Sequence, residues 1–167
     1  MEINITTGIG SGPTTLAAFD AALNDAGVAN YNIIVLSSVI PPNSEIKIHD
    51  RKLAKLPGEW GDRLYVVMAE KRDDTPNAEA WAGIGWVQDE KTKKGLFVEH
   101  HGSSEDSVKR DIRQTLEALM ATRNVDFGPI HMKVVGTVCR HLPVCALVVA
   151  VYEPNSWESA KVPEIKA

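Results

Sequence analysis

Two adjacent hydroxyls, Ser37 and Ser38, close the apolar run Tyr31-Asn32-Ile33-Ile34-Val35-Leu36, and Pro41-Pro42 follow within four residues. A hydroxyl at a strand end, fixed by a stiff exit, is placed to attack its own backbone. Addition of the Ser38 hydroxyl to the Ser37 carbonyl turns the peptide bond into an ester. Elimination across Ser38 would then leave a dehydroalanine that hydrolyses to an N-terminal pyruvoyl group, and the chain would thus make its own carbonyl cofactor. The same pair also suits the start of an ordinary loop, where short hydroxyl side chains bond the nearby backbone.

Glu99 is the second candidate, between Gly95-Leu96-Phe97-Val98 and His100-His101-Gly102. Burial there raises a carboxyl pKa and keeps a proton near neutrality, as a general acid requires; strand alternation equally allows Glu99 to face outward. Asp20 falls about 40° from Leu16 at 100° per residue, on the border of an apolar helical stripe, where a carboxylate lines a pocket or faces water. Asn32 lies inside the apolar run, and a buried amide needs partners, which makes it a structural or processing residue.

A rival chemistry starts from Gly8-Ile9-Gly10-Ser11-Gly12-Pro13, since strand, glycine-rich loop, helix and strand together resemble a dinucleotide unit of about 30 residues. The glycine spacing differs from that fingerprint, Pro13 removes an amide donor, and no acid ends the second strand. His100 and His101 point to opposite faces of a strand and do not easily share a metal. His49, His131 and His141 are isolated and read as structural or surface residues. Cys139 and Cys145 are separated by five residues, which fits no common zinc spacing, so they read as buried reduced thiols and no metal is expected.

The elements that must position these residues follow from periodicity. Ile3 to Ile5 alternates as a short strand, and the glycine run breaks regular structure. A helix is predicted from about Thr14 to Ala26 on Leu16, Phe19, Leu23 and Ala26, stopped by Gly27. Asn30 to Leu36 reads as a buried strand and Asn43 to Arg63 as a polar loop. Leu64 to Ala69, Ala80 to Val87 and Gly95 to His101 read as strands. Ser103 and Ser104 before Glu105 and Asp106 announce a helix to about Thr122, with Val108, Ile112, Leu116, Leu119 and Met120 on one face. Ile130 to Val138 and Leu142 to Tyr152 are expected to close the fold as a hairpin, with a frayed tail after Glu153. This order is α+β, with helices layered on mostly antiparallel sheets.

Composition supports one domain over residues 1–167, with 44% hydrophobic residues to build a core. A net charge of −4 and lysines gathered only at Lys91-Thr92-Lys93-Lys94 give no footprint for nucleic acid. No apolar window approaches a membrane span, and the start lacks an export signal, so a cytoplasmic protein without a membrane partner is expected.

Three segments resemble the pyruvoyl-dependent arginine decarboxylase family in order and spacing: Gly8 through Leu23, Gly27 through Pro42 with Asn32 and Ser37-Ser38, and Leu96 through Gly102 around Glu99. The resemblance implies a four-layer αββα sandwich, assembled as a trimer or a pair of trimers with active sites between neighbours. It implies self-cleavage into residues 1–37 and 38–167, with Ser38 becoming the pyruvoyl group and Asn32 helping. Glu99 then corresponds to the acid that protonates the α-carbon, Asp20 to the carboxylate that meets a guanidinium, and Ser37 to a terminus beside the substrate. The implied reaction is conversion of L-arginine to agmatine and carbon dioxide through a Schiff base. Decarboxylation of another amino acid, such as histidine, is the nearest alternative; a non-catalytic nucleotide-binding module is the alternative of another class.

Overall fold

Among the described residues, 1–50, 53 and 56–157 of a computed structural model, the chain forms nine strands and two helices. In order these are β1 (Glu2–Ser11), α1 (Thr15–Ala26), β2 (Asn32–Val35), β3 (Val39–Ile40), β4 (Glu45–Ile48) and β5 (Arg63–Asp73). Then follow β6 (Glu79–Gln88), β7 (Gly95–Gly102), α2 (Glu105–Ala121), β8 (His131–Val138) and β9 (Val144–Asn155). One sheet runs β2-β5-β9-β1-β4 and the other β3-β7-β6-β8. Pairing is antiparallel except for β1 with β4 and β2 with β5, which are parallel.

Three apolar layers separate four layers of backbone. Alternation along β9 sends Cys145, Leu147, Val149 and Val151 toward α1, and Ala146, Val148 and Ala150 into the gap between the sheets. On β6, Ala80, Ala82, Ile84 and Trp86 enter that same gap, while Val87 on the other face meets Val108, Ile112 and Leu116 of α2. The architecture is therefore the expected αββα sandwich.

Both helices begin where the hydroxyl caps predict. Thr14 accepts from the Ala17 amide at 3.1 Å, Ser104 accepts from the Ser107 amide at 3.2 Å, and Gly27 ends α1 at φ 83°.

Five expectations need correction. The glycine run does not break regular structure: β1 continues to Ser11, with Gly8 opposite Leu147 and Gly10 opposite Cys145 of β9. A Cβ on Gly8 or Gly10 would lie 2.0 and 2.1 Å from the carbonyl oxygens of Ala22 and Ala18, so these glycines let α1 lie directly on the strand. That contact selects the buried face of α1, which is Ala18, Ala22 and Ala26, and leaves Leu16 66% exposed. The last two strands are not a hairpin, since β8 pairs with β6 in one sheet and β9 with β1 and β5 in the other. The expected loop from 43 to 63 contains β4, paired with β1. Finally, β9 stays paired to Asn155, opposite Arg63, so order extends past Glu153; the tail beyond Trp157 lies outside the described residues.

Candidate active site

Ser37 and Ser38 sit where the chain crosses from one sheet to the other. Upstream, the Leu36 amide donates to Val66 O at 2.8 Å and so ends the pairing of β2 with β5. Downstream, the Phe97 amide donates to Ser38 O at 2.8 Å and Val39 pairs with Leu96, so β3 begins on the edge of β7. Turning between two sheets in three residues requires an unusual backbone, and Ser38 adopts the left-handed region at φ 66°. That conformation costs a serine about 1–2 kcal/mol, which the ties on either side must hold. Ser37 itself is exposed.

Glu99 lies on β7 two residues beyond the amide that holds Ser38, and its Oε1 accepts the hydroxyl of Ser38. Alternation puts Glu99 on the same face as Phe97, which is buried between the sheets. The carboxylate is half-buried rather than enclosed, because β3 is two residues long and leaves this edge of β7 open. A hydroxyl bonded to a carboxylate is directed and can pass its proton, which is what attack on the preceding carbonyl requires.

Ser37, Ser38 and Glu99 line a cavity of about 330 Å³ with His100, with Thr115 and Leu119 of α2, and with Arg123 just past the end of that helix. His100 is held by its Nε2, 2.8 Å from Thr115 Oγ1, while His101 is exposed, as opposite strand faces demand. The wall formed by Thr115, Leu119 and Arg123 went unread in the sequence. Part of its signal was present: spacing by four puts Thr115 and Leu119 on one stripe of α2, while Arg123 follows the helix end and its guanidinium donates to Leu119 O at 2.8 Å. A second neighbour, Tyr152 of β9, is buried and donates its hydroxyl to Val39 O at 3.0 Å. Burial pushes its phenol pKa up and the Glu99 charge adds to the shift.

Asn32 and Asp20 are elsewhere. Asn32 is exposed at the start of β2, which is an edge strand rather than a buried one, and its side-chain amide donates to Gly61 O. The run around it is apolar because Ile33 and Leu36 pack toward the cores on either side of the sheet, while Val35 remains 59% exposed. Asp20 is exposed on α1, the layer that covers the opposite sheet from α2, and does not line the Ser38 cavity. A single chain thus brings together Ser37, Ser38 and Glu99, and leaves Asn32 and Asp20 apart. Cys139 and Cys145 are buried free thiols, with desolvation and the Glu70 charge pushing Cys145 up to about 12. With the glycine run paired in β1, no phosphate-cradling loop precedes α1, and the nucleotide-binding reading falls.

The family described as pyruvoyl-dependent arginine decarboxylase matches residues 2–156. A protein of that name from Thermoplasma volcanium is 38% identical over 106 residues, 62% of this chain and 57% of its own length. One from Halobacterium salinarum is 42% identical over 98 residues, 59% of each chain. A further relative, pyruvoyl-dependent arginine decarboxylase 2 of Archaeoglobus fulgidus, is 27% identical over 124 residues, 73% of this chain and 77% of its own. The chain therefore spans a little over half the length of the Thermoplasma and Halobacterium relatives.

Proposed function

The chain belongs to the pyruvoyl-dependent arginine decarboxylase family, and from that premise we propose that it splits between Ser37 and Ser38 and decarboxylates L-arginine to agmatine. The observation that carries this reading is the bond from the Ser38 hydroxyl to Glu99, on a residue held in a left-handed turn. Glu99 accepts and directs the Ser38 hydroxyl as it adds to the Ser37 carbonyl carbon, and the hydroxyl proton ends on the departing nitrogen. The peptide nitrogen of Ser38 leaves that carbon as an amine, giving an ester; loss of the Ser38 α-proton then expels the Ser37 carboxylate, which becomes the C-terminus, and water replaces the nitrogen of the dehydroalanine as ammonia.

The residues present fit a pyruvoyl group, since its precursor Ser38 stands beside the Glu99 carboxylate at the wall of a cavity. When formed, that group supplies an electrophilic carbonyl that draws electrons from the bond to the departing carboxylate. The chain's own work is orientation and proton delivery. Glu99 holds a proton for the substrate α-carbon, and Phe97 and Leu119 keep that side of the cavity apolar.

Asp20 is assigned to the guanidinium of a substrate bound in a neighbouring copy, because planar guanidinium favours a bidentate carboxylate. Its partner in that assignment is the exposed Leu16 on the same helix face, matched by Val35 and Val39, each 59% exposed, on either side of the serine pair. These apolar rims support a homo-oligomer, a trimer or pair of trimers, in which α1 of one copy covers the serine pair of the next. Asn32, exposed on the edge strand, is assigned to the splitting step in the same assembly. Among the described residues no helix is long and apolar enough to cross a membrane. Residence in the cytoplasm, where free thiols persist, is part of this proposal.

Intact mass of purified protein under denaturing conditions tests the splitting: fragments of 37 and 130 residues are expected from the 167-residue chain. Carbon dioxide release from a panel of amino acids tests the substrate. An unbroken chain overturns the reading, and release from histidine with arginine inert overturns the role of Asp20.

A further inference from the structure

Splitting creates a mechanical difficulty that the fold must meet. In the whole chain the segment from Leu36 to Ile40 is tied at both ends, by Leu36 to Val66 and by Ser38 to Phe97. A cut after Ser37 removes the upstream tie. The new end then hangs on β3, which pairs with β7 through Val39–Leu96 and Ile40–Gly95. Chain ends held by so little pairing open readily.

Tyr152 supplies what the ladder cannot. Along a strand, successive carbonyls point to opposite edges, so with Ser38 O turned to β7 the Val39 carbonyl faces away from it. The Tyr152 hydroxyl reaches that carbonyl from the other sheet at 3.0 Å. Its ring is fixed edge-on to Phe97, at 6.3 Å between centroids and 67° between planes. Tyr152 and Phe97 therefore grip the segment from both edges, through Val39 and Ser38 respectively.

We propose that Tyr152 is a positioning residue that pins the peptide following Ser38, so that the terminus made by splitting stays beside Glu99. The inference rests on the splitting reading and goes beyond it by naming the group that holds the product of that step. The phenol is suited to the task because burial and the nearby Glu99 charge keep it protonated and therefore a donor.

The test is Tyr152→Phe, which keeps the ring and its packing and removes the hydroxyl, compared in two backgrounds: the split enzyme and the unsplit Ser38→Ala chain. Hydrogen exchange at the Phe97 amide, which donates to residue 38, reads the grip directly. In the split enzyme Tyr152→Phe is expected to raise that exchange at least about tenfold, with β6 and β8 amides unchanged. In the unsplit chain, still tied upstream, exchange is expected to change less than about twofold. The kcat for arginine should fall about three- to tenfold in the split variant with KM unchanged. Equal exchange effects in both backgrounds, or none in the split enzyme, overturn the inference while leaving the splitting reading in place. A wild-type chain that never splits overturns both.

Discussion

Replacing Glu99 by Gln separates the two jobs the geometry gives this side chain. Gln has the same shape, keeps a carbonyl oxygen where Oε1 accepts the Ser38 hydroxyl, and preserves the cross-strand position opposite Ile84. What it loses is the charge and the proton. A hydrogen bond to a charged group contributes about 1.5–3 kcal/mol and one between neutral groups about 0.5–1.5 kcal/mol, a difference on the order of 1–1.5 kcal/mol. If all of that difference reaches the splitting step, the cut slows by roughly tenfold, since 1.36 kcal/mol is a factor of ten. Turnover suffers more, because a neutral amide has no proton to give, and loss of a general acid costs about 10²–10⁴ in rate. Incubated precursor should therefore yield both fragments within an extended time course on a denaturing gel. Arginine decarboxylation, normalised to chains that react with a carbonyl-trapping reagent, should fall at least about a hundredfold. Glu99→Gln that turns over within threefold of wild type would refute the proton-donor role. A folded Glu99→Gln that never splits would make the carboxylate indispensable to the splitting step as well.

Two further outcomes follow from contacts away from the chemistry. Gly10→Ala places a Cβ 2.1 Å from Ala18 O, a backbone atom that no rotamer change moves, so α1 must shift by about 1 Å. Overpacking of this kind costs about 1–3 kcal/mol, or a Tm lower by roughly 3–10 °C for a chain of this size; an unchanged Tm would mean that α1 does not rest on β1 as described. At the turn after β5, the Thr75 amide donates to Asp73 Oδ1 at 2.9 Å and holds that carboxyl below its usual range, with Lys71 contributing less. A depressed folded pKa gives stability that is present above the unfolded value near 4 and lost as pH falls through the lower folded value. Asp73→Asn keeps an acceptor without charge, so its Tm deficit should be open at pH 7 and close below about pH 4; a deficit constant with pH would remove the charge from the explanation.

The parts of this molecule that were legible in the sequence are those governed by local rules. Thr14 and Ser104 cap helices because a hydroxyl there satisfies an orphan amide whatever surrounds it, and the α2 face of Val108, Ile112 and Leu116 is fixed by periodicity alone. The Ser38–Glu99 pairing was reached only through resemblance, since 61 residues separate the two and their meeting depends on β3 joining the edge of β7. Where two elements compete for one face, the sequence misled. Leu16 looked like core by hydropathy, yet alanines pack against β1 because only they allow the backbone of α1 to approach Gly8 and Gly10. Asn32 looked buried because its neighbours are apolar; Ile33 and Leu36 do pack toward the cores on either side of the sheet, but β2 lies at the sheet edge and leaves Asn32 and Val35 exposed.

The position of the serine pair also explains how a chain could be cut without coming apart. Residues 1–37 contain β1, α1 and β2. Of these, β1 lies inside its sheet, paired over eight positions from Asn4 to Ser11 with β9 and over four with β4, both on the other side of the cut. The helix α1 is packed on that same sheet through Ala18, Ala22 and Ala26, and β2 pairs with β5. Every element of the short fragment is thus held by elements of the long one, and the bond between Ser37 and Ser38 belongs to neither sheet's interior. Breaking it costs no strand pairing and buries no new edge. Residue 38 would keep its tie to Phe97 at the wall of the Glu99 cavity, which is why a sheet-to-sheet crossing, and not a surface hairpin, is the place where this fold could tolerate a cut.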